Sequence, residues 1–79
     1  MHIEILTPDK QLFEGEVSSV KLPGEMGGFQ VLNNHAPLIS SLTKGDLGIK
    51  TADGRTQIFS LKGGVVEVFK NNIIVLAEI

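Results

Sequence analysis

The sequence predicts an all-β fold, a flattened antiparallel β-sandwich or barrel of about eight to ten short strands. Three observations carry that expectation. Short segments of alternating or continuous apolar residues recur along the chain, and turn residues separate them every seven to twelve positions or so. No window shows a sustained apolar period near 3.6 residues, the mark of an amphipathic helix.

The elements follow in order. Ile3, Ile5 and Thr7 alternate with Glu4 and Leu6, and Pro8-Asp9 signals a turn. A long extended stretch covers Leu12 to Leu22, where the apolar parity shifts from Phe13 and Val17 to Val20 and Leu22. A bulge near Ser18-Ser19, or a strand crossing between two sheets, accounts for such a shift. Pro23-Gly24 ends the stretch. Gly24 to Leu38 is neither plain strand nor helix, because Gly24, Gly27 and Gly28 permit unusual backbone angles and Pro37 lacks a donor. Leu38 to Leu42 is short and apolar and stops at Lys44-Gly45-Asp46. Leu47 to Thr51 leads into Ala52-Asp53-Gly54, the clearest hairpin turn of the chain. Thr56 to Leu61 follows, Lys62-Gly63-Gly64 interrupts, Val65 to Phe69 resumes, Asn71-Asn72 turns, and Ile73 to Glu78 forms the last strand.

At 79 residues the chain is read as a single domain over residues 1–79. A domain of this size buries only about 60% of its unfolded surface, so its stability margin is thin. It contains no cysteine, hence no disulfide and no thiolate metal ligand, and its two histidines, His2 and His35, are far apart in sequence. No metal and no cofactor is expected. The net charge is −2, without a basic cluster, and the aromatics are all Phe. Neutralising several phosphates needs clustered cations, so no nucleic acid is expected as a partner. The longest wholly apolar run, Ile73 to Ala77, is far short of the ~20 residues of a spanning helix. No leader pattern is read at the start and no lipid anchor is expected, so any membrane association is expected to come through a partner.

His35 is the first candidate for chemistry. No catalytic motif accompanies it, since Ser40 and Ser41 stand in no recognisable pattern, and the leading reading is a histidine that fixes its loop, then one that contacts a subunit. Gly24, Gly27 and Gly28 fit neither the dinucleotide fingerprint nor the P-loop, and no helix follows to supply a dipole. Glu14, Glu16, Glu67 and Glu78 read as solvated strand faces rather than an acid–base pair. Met26, Phe29, Val31 and Leu32 form an apolar set inside a polar loop, either plugging the core or awaiting a partner.

The order of these pieces resembles the epsilon subunit of F-type ATP synthases. The resemblance rests on Leu12-Phe-Glu-Gly-Glu-Val17, on Gly24, Gly27 and His35-Ala-Pro-Leu38, on Gly63-Gly-Val-Val-Glu-Val68, and on Asn72, Val75, Leu76 and Ala77. It spans nearly the whole chain. It implies a non-catalytic rotor subunit of the central stalk, which couples the gamma subunit to the membrane c-ring of a proton- or sodium-driven synthase. The implied location is the cytoplasmic face of an energy-transducing membrane, peripheral, with a chain that is soluble when isolated.

The resemblance also implies a subunit interface in the central loop. Phe29, Leu32 and His35 are expected as anchors, Gln30 and Asn33 as polar rim contacts, and Gly28 and Gln30 as positions facing the ring. Gly28 departs from the acidic residue common in the family, and Gln30 from a glycine. Asn33-Asn34 replaces a frequent Pro-Gly, and Lys62 a small residue. Typical members continue into an autoinhibitory helical hairpin, sometimes ATP-binding, which is expected to be absent here. The rival expectations are a lipoyl- or biotinyl-type carrier or another small β-sandwich binding module. A carrier needs a lysine at a hairpin tip, and Ala52-Asp-Gly-Arg55 has none. An isomerase-like enzyme would rest only on His35 and scattered carboxylates.

Overall fold

The long extended stretch is one strand that serves two sheets. In the computed structural model, which describes residues 1–79, eight strands succeed one another. They are β1 (His2–Leu6), β2 (Gln11–Leu22), β3 (Phe29–Leu32), β4 (Leu38–Leu42), β5 (Gly45–Thr51), β6 (Thr56–Leu61), β7 (Gly63–Phe69) and β8 (Asn72–Glu78). The first half of β2 pairs with β1, while its second half lies between β3 and β5. One sheet thus runs β4-β7-β8-β1-β2, and the other continues from β2 through β5 to β6, with β3 on the far side of β2. No helix is present.

The parity shift in β2 marks this crossing. The register slips between Val17 and Ser19 as β2 passes to β5, so Ser18 is the extra residue of a bulge. Val17 and Val20 both remain buried, although their spacing is odd. Fifteen buried apolar residues from both sheets form one core, among them Ile3, Ile5, Val20, Val31, Leu47, Ile49, Val66, Ile73 and Val75. Every fully buried side chain is apolar, so no buried charge taxes a small domain with little stability to spare.

Two details depart from the sequence reading. One ladder is parallel: β1 runs beside β8, with Ile3 opposite Ile73 and Ile5 opposite Val75. Alternation of apolar residues reads the same in both orientations, so composition cannot reveal this pairing. The last turn also sits one residue earlier than Asn71-Asn72. Phe69 pairs with Asn72, leaving Lys70 and Asn71 as a two-residue loop with φ of 48° and 64°. Two successive positive φ values suit the right-handed twist of a hairpin, and asparagine tolerates them well.

The Ala52-Asp53-Gly54 turn forms where the sequence places it, with Gly54 at a φ of 89°. Thr51 donates its hydroxyl to Asp53, and Arg55 approaches the same carboxylate at 2.9 Å. These contacts, Thr51 first and Arg55 second, hold the Asp53 carboxyl below the usual carboxylate range.

Candidate functional site

The Gly24–Leu38 segment is held to the body of the protein at both ends. Gly24 is buried and bridges Leu42 at the end of β4. A β carbon there would stand 2.6 Å from the Gly27 carbonyl oxygen and 2.8 Å from the Phe29 ring. Only glycine allows Phe29 to lie over this turn. Gly27 takes a φ of 122° and Met26 projects fully into solvent. Beyond the turn, β3 adds to β2, which buries Val31 and turns Gln30 and Leu32 outward. A shallow hollow of about 410 Å³ lies between this strand and β5, bounded by Lys21, Gly28, Phe29, Gln30 and Asp46.

The far end is tied by polar contacts. Asn33 Oδ1 accepts from the Asn71 side chain at 2.9 Å and from the Met1 ammonium at 3.4 Å. Asn71 Oδ1 in turn accepts from the backbone N–H of Asn34 at 2.8 Å, where Asn34 has a φ of 62°. His35 Nδ1 lies 2.7 Å from the carbonyl oxygen of Ala36, so that nitrogen carries the proton and donates.

The six residues singled out in the sequence therefore lie along one segment but differ in situation. Gly28, Gln30 and Leu32 are exposed, with Leu32 showing 54% of its surface. Phe29 is half-buried and packs against the core. Asn33 and His35 spend polar atoms on holding the loop.

A larger apolar surface escaped the sequence reading. The outer face of the β4-β7-β8-β1-β2 sheet carries Ile39, Val65, Phe69, Ile74 and Leu76, all exposed, with Ile39 at 72%. Cross-strand register places them together. Val65 lies opposite Leu76 and Leu76 opposite Leu6, while Glu67 separates Ile39 from Ile74 in the next row. The signal was present in Val65-Val-Glu-Val-Phe69 and Ile73-Ile-Val-Leu-Ala77, which are apolar on both parities. A sheet with one wet face alternates polar residues on that face, and within these two segments only Glu67 does so.

Charge is divided between the sheets. Glu4, Glu14, Glu16, Glu67 and Glu78 all belong to strands of the first sheet, and none of those strand segments contains Lys or Arg. His2 sits between two of these carboxylates, with Nε2 3.1 Å from Glu14 and Nδ1 3.1 Å from Glu16. An ionised carboxylate only accepts, so both contacts are satisfied together by the imidazolium. The hydrogen bond to Glu16, then that to Glu14, raises the His2 pKa above its ordinary value. The second sheet carries Lys21 and Lys50 against a single carboxylate, Asp46. No group of His, Asp or Glu side chains converges to hold a metal ion.

The sequence model of the ATP synthase delta/epsilon chain β-sandwich domain matches residues 1–79. The ATP synthase epsilon chain of Caulobacter vibrioides is 39% identical over 79 residues, covering 99% of this chain and 90% of that one. The epsilon chain of Chlorobaculum tepidum is 42% identical over 76 residues, covering 96% of this chain and 86% of that one. Among solved structures, a chain of the Euglena gracilis mitochondrial ATP synthase superposes with a TM-score of 0.89 at 18% identity, over 95% of this chain and 48% of that one. A chain of the Tetrahymena thermophila mitochondrial ATP synthase central stalk and c-ring superposes with a TM-score of 0.80 at 20% identity, over 99% and 63%. The chain thus spans about half of the Euglena chain's length, and those two likenesses speak to fold. The match of the family's sequence model over residues 1–79, together with these epsilon-chain relatives, places the chain in the ATP synthase delta/epsilon family, as its β-sandwich domain.

Proposed function

We propose that residues 1–79 act as one domain, a non-catalytic coupling element of the ATP synthase central stalk that joins the gamma subunit to the c-ring. The observation that carries this reading is the contiguous apolar surface formed by Val65, Leu76 and their neighbours on a sheet whose other face already has a full core. Such a surface is costly in a lone small domain and is repaid by burial against a partner. The gamma subunit is the proposed occupant of this face.

The Gly28–Leu32 edge is the proposed contact with the ring. Gly28, Gln30 and Leu32 face outward and are free to touch its loops, while Phe29, Asn33 and His35 shape the backbone that presents them. The ring contact then depends on backbone shape and a few neutral groups. A sandwich suits torque transfer because two sheets interlock their side chains and resist shear. The working position is peripheral, on the side of the membrane where the catalytic head lies, and the membrane is reached only through the ring.

Reconstitution tests this reading. The cognate catalytic head and ring, placed in vesicles with an ion gradient, make ATP efficiently when the full chain is added and lose coupling when it is omitted. Synthesis that is indifferent to the chain would contradict it.

A further inference from the structure

The outer face of the β4-β7-β8-β1-β2 sheet is not merely apolar. Its apolar side chains are interleaved with carboxylates: Glu67 stands between Ile39 and Ile74, Glu4 lies opposite Ile74, and Glu14 lies opposite Glu4. Glu16 and Glu78 close two ends of the patch. The strand segments that build this sheet contribute five glutamates and no lysine or arginine. The only basic side chain on them is His2, which is already engaged by Glu14 and Glu16. At the border the Met1 ammonium stands 3.6 Å from Glu16 and the Lys70 ammonium lies over the Phe69 ring, neither of them paired with Glu4 or Glu67. Glu4 and Glu67 form no ion pair within the chain.

This asymmetry exceeds what the net charge of −2 requires. Five of the nine acidic residues are gathered on one of the two sheets, while the opposite sheet carries Lys21 and Lys50. Carboxylates set between exposed apolar side chains would lose water whenever that face is covered. An apolar or acidic partner would leave them unpaired and pay heavily for it. A partner that presents cations at those positions avoids the penalty and is steered to the face before contact.

We propose that the partner surface docking on this face is itself an apolar patch rimmed by lysine or arginine, with cations aligned to Glu4 and Glu67. This inference rests on the assignment of the face to the gamma subunit and adds the chemistry by which that surface is recognised. Selection is then two-fold: Val65, Ile74 and Leu76 supply contact area, and the glutamates set orientation and encounter rate.

Association of the full chain with its cognate gamma subunit, followed by stopped-flow at about 0.03 M and about 0.3 M salt, tests this. The wild-type association rate is expected to fall as salt rises. The double variant Glu4→Lys/Glu67→Lys should associate about tenfold more slowly at low salt. Lys21→Glu/Lys50→Glu, on the opposite sheet, should leave the rate at or above the wild-type value. All these side chains are exposed or partly exposed on strand surfaces, and circular dichroism checks that the variants keep the fold. If wild type binds with a rate indifferent to salt and to Glu4→Lys/Glu67→Lys, while Leu76→Asp still abolishes binding, the charge inference fails and the docking assignment survives. If wild type does not bind at all, both fail.

Discussion

Asn71 donates its side-chain amide to Oδ1 of Asn33 at 2.9 Å, joining the β7–β8 turn to the end of β3 across 38 residues of sequence. The same Asn71 accepts from the backbone of Asn34 and sits at a φ of 64°. One residue therefore supplies both a turn conformation and the anchor of the proposed ring-facing segment. Asn71→Ala loses both contacts and places a β-carbon residue without a helpful side chain in the left-handed region. The expected cost is about 1–3 kcal/mol, read as a shift in urea midpoint, with faster amide exchange at Asn34 and His35. Unchanged exchange there would show that the tie does not order the loop.

Two glycines in strands should respond oppositely to a methyl group. At Gly64 a β carbon would overlap the Leu76 carbonyl oxygen, and its φ of 151° already disfavours a side chain. Gly64→Ala should cost about 3 kcal/mol or more. At Gly48 an added β carbon meets nothing within 4 Å and φ is not positive, so Gly48→Ala should be neutral or stabilise by about 0.5 kcal/mol. Chemical denaturation of both variants checks the contrast.

The His2 contacts make a pH prediction with a definite sign. Its folded pKa is raised by Glu16 and Glu14, so the stability it contributes is fully present below the ordinary value of about 6.5 and is lost as pH rises through the folded pKa. Proton NMR of the His2 ring should give a midpoint above that of an unfolded peptide. The difference in melting temperature between wild type and His2→Gln should shrink from pH 6 toward pH 9. A His2 midpoint at or below the ordinary value would refute the imidazolium bridge.

Within the Gly28–Leu32 segment, Leu32 and Phe29 should separate docking from folding. Leu32 is exposed, so Leu32→Asp leaves stability within about 0.5 kcal/mol and weakens binding to the gamma–ring assembly. Phe29 packs on the core beside Gly24, so Phe29→Asp should cost about 2–4 kcal/mol of stability before any binding is lost. Thermal melts beside binding isotherms distinguish the two.

Much of the fold was legible in the residues. The Val17/Val20 parity shift marked the point where β2 changes sheets, and Asp53-Gly54 marked its hairpin, because both features are local consequences of pleat and turn chemistry. The parallel pairing of Ile3 with Ile73 was not legible, since strand orientation depends on how distant elements assemble. Of the surface, the Gly24–Leu38 segment stood out through its glycines. The apolar face of β7 and β8 left only a trace, two segments apolar on both parities, and which of their side chains are exposed is decided only when a sheet gives them sides. The hydrogen bond from His35 to the carbonyl of its neighbour Ala36 accords with the loop-fixing role read from the residues, whereas the tie from Asn33 to Asn71 spans 38 residues and only the folded chain brings it together.

In the proposed function this domain docks in the central stalk through the apolar face of its first sheet. The most direct test of this docking is the affinity of the full chain for its cognate gamma–ring assembly, measured for wild type and Leu76→Asp, whose side chain is exposed and outside the core. The expected result is tight wild-type binding and a loss of about 2 kcal/mol or more in the variant, on the order of 30-fold. Absence of wild-type binding, or equal affinity for the two proteins, would contradict it.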